Sequence, residues 1–362
     1  AVRRVIENGL CEPITFPIGA GEYRMDSIRF DERDSGTADC PITYIADGDV
    51  ILHGGISVAH ENWQMPDAAM LSRFAEEARP HIRMISLASL GLTAEDWGEE
   101  IAIGAYETSH KYDGAPRGCG CEFFCGGRRM IKARYPNEGF LQLEAVADIG
   151  DVREFPPQNY YLDWDERRNH RGGAYIIDRE TAKHVERGQE SDKAWMFGYF
   201  YWDWADSSTP VTFRIENRVV YPKFVSRFAA RAGADYYFYN VPEELDTAGE
   251  WYLDRKEGIV YYVGDKVESA YAPTVSALMN IRANDVCIRG LELHCTRGDY
   301  MSNMVSKDGK WVRSDSKTYA SDIQSVCWAP GAISFENADR CGIENCYLHG
   351  LGIHAIEIKT GC

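Results

Sequence analysis

The run Gly198 to Ser208 reads GYFYWDWADSS, placing five aromatic rings and two carboxylates within eleven residues. A ring offers a flat apolar surface and a carboxylate accepts hydroxyl hydrogen bonds. Together they match a molecule with an apolar C–H face and a rim of hydroxyls, which is a sugar ring. With the period of a strand, Tyr199, Tyr201, Asp203 and Ala205 would share one face, and Phe200, Trp202, Trp204 and Asp206 the other. No simple strand then buries every ring. Two readings stay open. In one, Tyr201, Trp202 and Trp204 form a substrate platform while Asp203 and Asp206 hold hydroxyls; in the other, the rings are an aromatic core and Asp206 caps the turn SSTP.

Breaking a glycosidic bond needs two carboxyl groups, one giving a proton and one acting as nucleophile or base. The candidates are Asp203, Asp206 and Glu357. Glu357 alternates outward between Ile356 and Ile358, with His354 just before it, although a plain solvated strand residue has the same pattern. Ser334 is expected beside it as a substrate contact, and Glu336 reads as a cross-strand ion-pair partner of Lys359.

Metal chemistry finds little support. The segment YLDWDERRNHRGG gathers Asp163, Asp165, Glu166 and His170. It lacks the spacing of a hard-cation loop and reads as a charged, solvated stretch. CGCEFFC offers three thiols, half of a zinc set, without a CxxC or His partner, and free thiols are expected there. GxxxxGK, a post-strand GxGxxG and HExxH are all absent, so neither a cofactor nor a metal is expected.

The formal charge of -17 argues against nucleic acid, whose phosphates reward Lys and Arg, and favours a neutral carbohydrate substrate. No apolar run approaches the ~18 residues of a membrane-spanning helix, so no membrane partner is expected. Eleven cysteines without a regular framework, and no N-x-S/T sequon, lean towards a cytoplasmic location. A signal peptide lost ahead of Ala1 would reverse that expectation in favour of secretion.

These side chains need elements to hold them. From Cys11 to Gly55 the chain reads as short strands (PITFPI, GEYRM, SIRF, PITYIA, VILHGG) separated by turn residues. Helices are minor: PDAAMLSRFAEEARP and LTAEDWGEE, with Asp67 and Thr93 as caps. The last ninety residues repeat a short strand, a Gly- or Asn-rich turn and another short strand, a solenoid pattern. Ile333 aligns with Ile356 and Phe335 with Ile358, which predicts stacked inward pairs, with Ser334 beside Glu357 on the outward face. Cys341 and Cys362 are expected as stacked core residues. An uncapped solenoid exposes a sheet edge, so further coils are expected after Cys362.

Five phrases, PITYIADGDVILHGG, RRMIKARYPNEGF, WMFGYFYWDWADSSTPV, VPEELDTAGEWYLDRKEGIVYYV and GAISFENADRCGIENCYLHGLGIHAIEI, run over most of the chain. They resemble bacterial right-handed parallel β-helix proteins of the glycoside hydrolase family 141 kind, which include α-L-fucosidase and xylanase activities. The resemblance implies an all-β fold: first coils and cap at 1–58, an inserted β-rich domain at 59–240, and further coils at 241–362, re-entered at AGEWYLDRKEGIVYY. It implies a glycoside hydrolase acting on plant-type polysaccharide or oligosaccharide by paired carboxylates in the helix groove, some on coils after Cys362. The alternatives are a non-catalytic carbohydrate-binding or structural β-helix, and a polysaccharide lyase, which would use an outward Lys or Arg.

Overall fold

A computed structural model describes residues 2–9, 11–98, 100, 103–104, 121–152, 154–155, 160–161, 171–186, 194–224, 228–265, 267, 269–298, 304–307, 310–313, 331–359 and 361–362. The fold is mainly β, as the short strand signals require, and both short helices carry the expected caps. Asp67 accepts from the Met70 N–H ahead of Ala68–Leu71, and Thr93 closes a capping box on Ala94–Trp97. Each stops after about one turn.

Apart from the antiparallel hairpin of Met304–Lys307 and Lys310–Arg313, the described strands before residue 54 and after residue 278 stack in parallel. Ile14–Arg24 pairs with Ile42–His53, from Ile14 opposite Ile42 to Arg24 opposite His53. Val286–Arg289 and Glu292–His294 pair with the two halves of Ile42–His53, and Gly342–Glu344 and Tyr347–His349 pair with those in turn. A second parallel sheet runs Ile28–Phe30, Met279–Ile281, Gly331–Phe335, His354–Ile358. Between the sheets lies one core containing Leu52, Leu278, Ile281, Leu293, Ile333 and Phe335. Strand period two sends alternate residues into that core and the rest outward.

Turns recur with the strands. Asp285 and Arg340, joined by an ion pair across 55 positions, both have left-handed backbones, as do Gly290 and Asn345, and Cys295 and Gly350. Gly, Asn and Asp suit that conformation; Arg340 and Cys295 adopt it against preference.

Ile333 faces Ile356, Ser334 faces Glu357 and Phe335 faces Ile358, the register the spacing predicts. The burial differs. Ile333 and Phe335 are buried, whereas Ile356 and Ile358 are 43% and 71% exposed, because His354–Ile358 is the outer strand of its sheet among the described residues. Cys341 packs half-buried against the core, its thiol on the Ala283 carbonyl, but Cys362 is exposed, so only one of the two is a core residue.

Residues 54 to 278 pair almost entirely antiparallel. A nine-stranded sheet encloses Tyr175, Met196, Phe200, Tyr236 and Phe238. AGEWYLDRKEGIVYY forms a hairpin, Trp251 opposite Tyr262, whose first strand also runs parallel to Ile131–Lys132, and parallel pairing with the strands before residue 54 resumes at Met279. A smaller sheet of Gly55–Val58, Ala270–Pro273, Phe124–Cys125 and Arg128–Arg129 adjoins the parallel strands. Its seat explains the glycines after His53. A Cβ on Gly54 would lie 2.5 Å from Val275 Cγ2, and one on Gly55 2.6 Å from Cys295 Sγ, closer than side chains pack.

Candidate functional site

The aromatic run is a turn, not a strand. Trp195–Tyr199 ends at Tyr199 and its antiparallel partner Ser207–Arg214 begins at Ser207, so the expected two-face alternation stops there. Phe200 drops into the nine-stranded sheet's core. Tyr201 and Trp202 pack half-buried on Ala205 and Phe228. Trp204 is 48% exposed, its ring 6.2 Å from that of Trp202 at an interplanar angle of 17°. Asp203 points outward and accepts from Arg231 at 2.5 Å. Asp206 is half-buried, and burial pushes its carboxyl upward. Ser207, Ser208 and Thr209 lie in a strand, so Asp206 precedes no SSTP turn. The turn therefore combines both sequence readings: a core anchor at Phe200 and an exposed indole at Trp204.

Ser334 stands opposite Glu357, and His354 opposite Gly331, on neighbouring parallel strands in a different sheet from the aromatic turn. Ser334 is only 5% exposed and its hydroxyl donates to Asn280 Oδ1 at 2.7 Å, while Asn280 donates to Ser27. That polar ladder commits Ser334 to neighbouring strands, contrary to an outward substrate contact. Glu357 accepts from the Gly331 N–H at 3.3 Å and lies 3.4 Å from Lys359 Nζ. The expected Glu336–Lys359 pair does not form. Arg282, just past the adjacent strand Met279–Ile281, takes Glu336 at 2.6 Å, and Lys359 turns to Glu357.

A second polar row, missed in the sequence, crosses the outward face of the other parallel sheet. Leu52, Leu293 and Leu348 stand in register and point into the core side, so the residues flanking them point outward. One outward column is Glu22, Ile51, Glu292 and Tyr347; the next is Arg24, His53, His294 and His349. The imidazoles stack, His53 to His294 at 5.8 Å and His294 to His349 at 5.0 Å. Tyr271, from the smaller sheet, lies over His53 and His294 with centroids 5.0 Å from each and donates to Glu22 Oε1 at 2.7 Å. Glu22 Oε1 is also 3.3 Å from His53 Nε2, and Glu292 Oε1 is 2.9 Å from His349 Nε2.

Burial grades along this row. His53 and His294 are covered, His349 is partly open, and Tyr347, stacked on His349 at 4.5 Å, is 63% exposed. Burial, reinforced by His349 and His53, pulls His294 down to about 4, so it is neutral near pH 7. The available signal was the dipeptide Leu-His: Leu52-His53, Leu293-His294 and Leu348-His349, each followed by Gly or by a residue with a left-handed backbone. More than two hundred residues separate the first from the second, so periodicity alone does not show it.

Under the same edge sits Glu122, its carboxyl pushed up to about 7 by burial, with Arg129 3.4 Å away. Arg129 also donates to the Leu351 carbonyl at 2.5 Å. Cys121 and Cys125 are buried; Cys119 and the Asp163, Asp165, Glu166 and His170 segment lie outside the described residues. Among the described residues, no three His, Cys, Asp or Glu side chains gather as a metal set, and no helix is long and apolar enough to cross a membrane.

No family model and no curated protein matches the chain. Its fold resembles a solved structure of a glycoside hydrolase, with a TM-score of 0.61 and 16% sequence identity. The likeness covers 97% of this chain and 57% of that protein, so the chain spans little more than half of its neighbour's length. At this identity the likeness is one of fold.

Proposed function

We propose that this chain acts on carbohydrate as a glycoside hydrolase of right-handed parallel β-helix architecture, similar to family 141. Coils within 1–58 and 241–362 would flank an inserted β-rich domain at 59–240, with antiparallel strands at 55–58 and 250–273 marking the junctions. Support comes from the parallel register of successive strands and from the fold of the glycoside hydrolase neighbour. The observation that carries the functional reading is the outward row of Glu22, Glu292 and stacked imidazoles ending at exposed Tyr347. It unites acid–base groups with an aromatic platform along one line, as a bound oligosaccharide requires. The acidic chain suits a neutral plant-type polysaccharide or its oligosaccharides.

In this reading Tyr201, Trp202 and Trp204, with Asp203 and Asp206, form an accessory platform for the same polymer, and Glu357 with His354 borders the second parallel sheet. The ion pairs that occupy Asp203 and Glu357 favour the alternative of glycan binding without cleavage at those positions. The experiment is release of reducing ends from xylan and from fucosylated oligosaccharides, with binding measured in parallel by calorimetry. Release from either supports the hydrolase. Binding without release selects the non-catalytic reading, and neither binding nor release contradicts both.

A further inference from the structure

We infer that Glu22 and Glu292 are the reacting carboxylate pair of this outward row, Glu22 as base and Glu292 as acid, and that cleavage inverts the anomeric centre. The inference rests on the hydrolase reading above and adds the residues and the stereochemistry. Glu22 stands opposite Ile51, and Ile51 opposite Glu292, so the two glutamates share one outward column with one strand between them. Two strand spacings separate their backbones by about 9.6 Å.

Side chains that lean the same way keep a separation of this order. Glu22 leans one strand forward to His53, and Glu292 leans one strand forward to His349, in the same direction. Carboxyls roughly 6.5–9.5 Å apart leave room for a water opposite the leaving group, whereas a covalent intermediate needs about 5–5.5 Å. About two strand spacings is near the wide end of the first class and far from the second.

The surroundings divide the roles. Glu22 accepts from the Tyr271 hydroxyl at 2.7 Å, a bond that stabilises a carboxylate, as a base requires. Its side chain and that of Glu292 are 42% and 37% exposed, open to substrate, while His53 beneath is covered. Glu292 meets His349, which is partly open to solvent and can return a proton after each turnover. Tyr347 supplies a ring surface on the Glu292 side. His53, His349 and Tyr271 are positioning residues.

The step balances as hydrolysis. Glu292 gives its proton to the glycosidic oxygen as the C1–O bond breaks and the electron pair passes to that oxygen. A water oxygen forms the new bond to C1 from the opposite side while Glu22 takes one of its protons. One glycoside and one water become two hydroxyl products. The proton gained at Glu22 and lost at Glu292 is restored by exchange with solvent, on the Glu292 side through His349.

The test follows product configuration by proton NMR in the full chain acting on a xylo- or fuco-oligosaccharide that it cleaves, and compares Glu22→Gln and Glu292→Gln. Glutamine still accepts from Tyr271 or meets His349, so the fold is retained. The expected results are inversion and a loss in kcat on the order of 10²–10⁴-fold for each variant. With a dinitrophenyl glycoside, whose leaving group needs no proton, Glu292→Gln recovers activity and Glu22→Gln does not. Retention of configuration in the unaltered chain overturns the inference without any variant, as do variants within tenfold of the parent while the parent cleaves. A parent chain that cleaves nothing overturns the hydrolase reading and this inference with it.

Discussion

His294 and Glu122 lie under the same edge of the parallel strands and titrate in opposite senses. Burial lowers His294 to about 4 from its ordinary 6.5, so the unfolded chain binds the extra proton first as the pH falls. Its contribution to stability is full above pH 6.5 and is lost as the pH drops through about 4, a change of about 3 kcal/mol. Glu122 runs the other way: raised to about 7 from 4.5, it contributes fully below pH 4.5 and loses that contribution as the pH rises through 7. Urea unfolding of Glu122→Gln across pH 5 to 8 is expected to show a fall in stability smaller than that of the parent by about 2–3 kcal/mol. An unchanged slope would place the carboxyl in water. At the aromatic turn, Phe200→Ala should cost about 3–5 kcal/mol from a filled core, while exposed Trp204→Ala should cost ~1 kcal/mol or less. Trp204→Ala should nevertheless weaken oligosaccharide binding in calorimetry, and equal affinity would remove the accessory platform.

Among the elements, the stacked strands were legible and their covering was not. Spacing alone placed Ile333 on Ile356 and Ser334 on Glu357, because a strand alternates with period two and Gly and Asn punctuate the turns. Outward direction did not mean exposure: Ser334 is buried in a hydrogen-bonded ladder with Asn280, a partner 54 positions away. The aromatic run misled for a related reason. Its composition reads as strand, but its hairpin position makes residues 200–206 a turn that splits the rings between core and solvent. The histidine row escaped notice because its members sit singly at strand ends, aligned only by strands far apart in sequence. The glycines beside it carry a consequence for stability. Gly55→Ala forces a methyl against Cys295 Sγ and the Ala272 carbonyl, so a loss of about 1–3 kcal/mol is expected in thermal or urea unfolding. An unchanged midpoint would show that the smaller sheet shifts freely on the parallel strands.

Across the whole molecule, two surfaces are candidates for holding the proposed polymer: the outward row on the parallel strands and the Trp202–Trp204 turn of the antiparallel sheet. They differ in chemistry. The row carries two carboxylates with imidazole and phenol partners, and the turn carries indoles with an aspartate held by Arg231. The row is therefore expected to hold the bond that is cut, and the turn to hold only a distant part of the chain. The most direct measurement is a crystal structure of the Glu292→Gln chain with a xylo- or fuco-oligosaccharide. Sugar rings lying along Glu22, residue 292 and Tyr347 are the result this account predicts; rings confined to the Trp202–Trp204 turn, with the outward row bare, would contradict it.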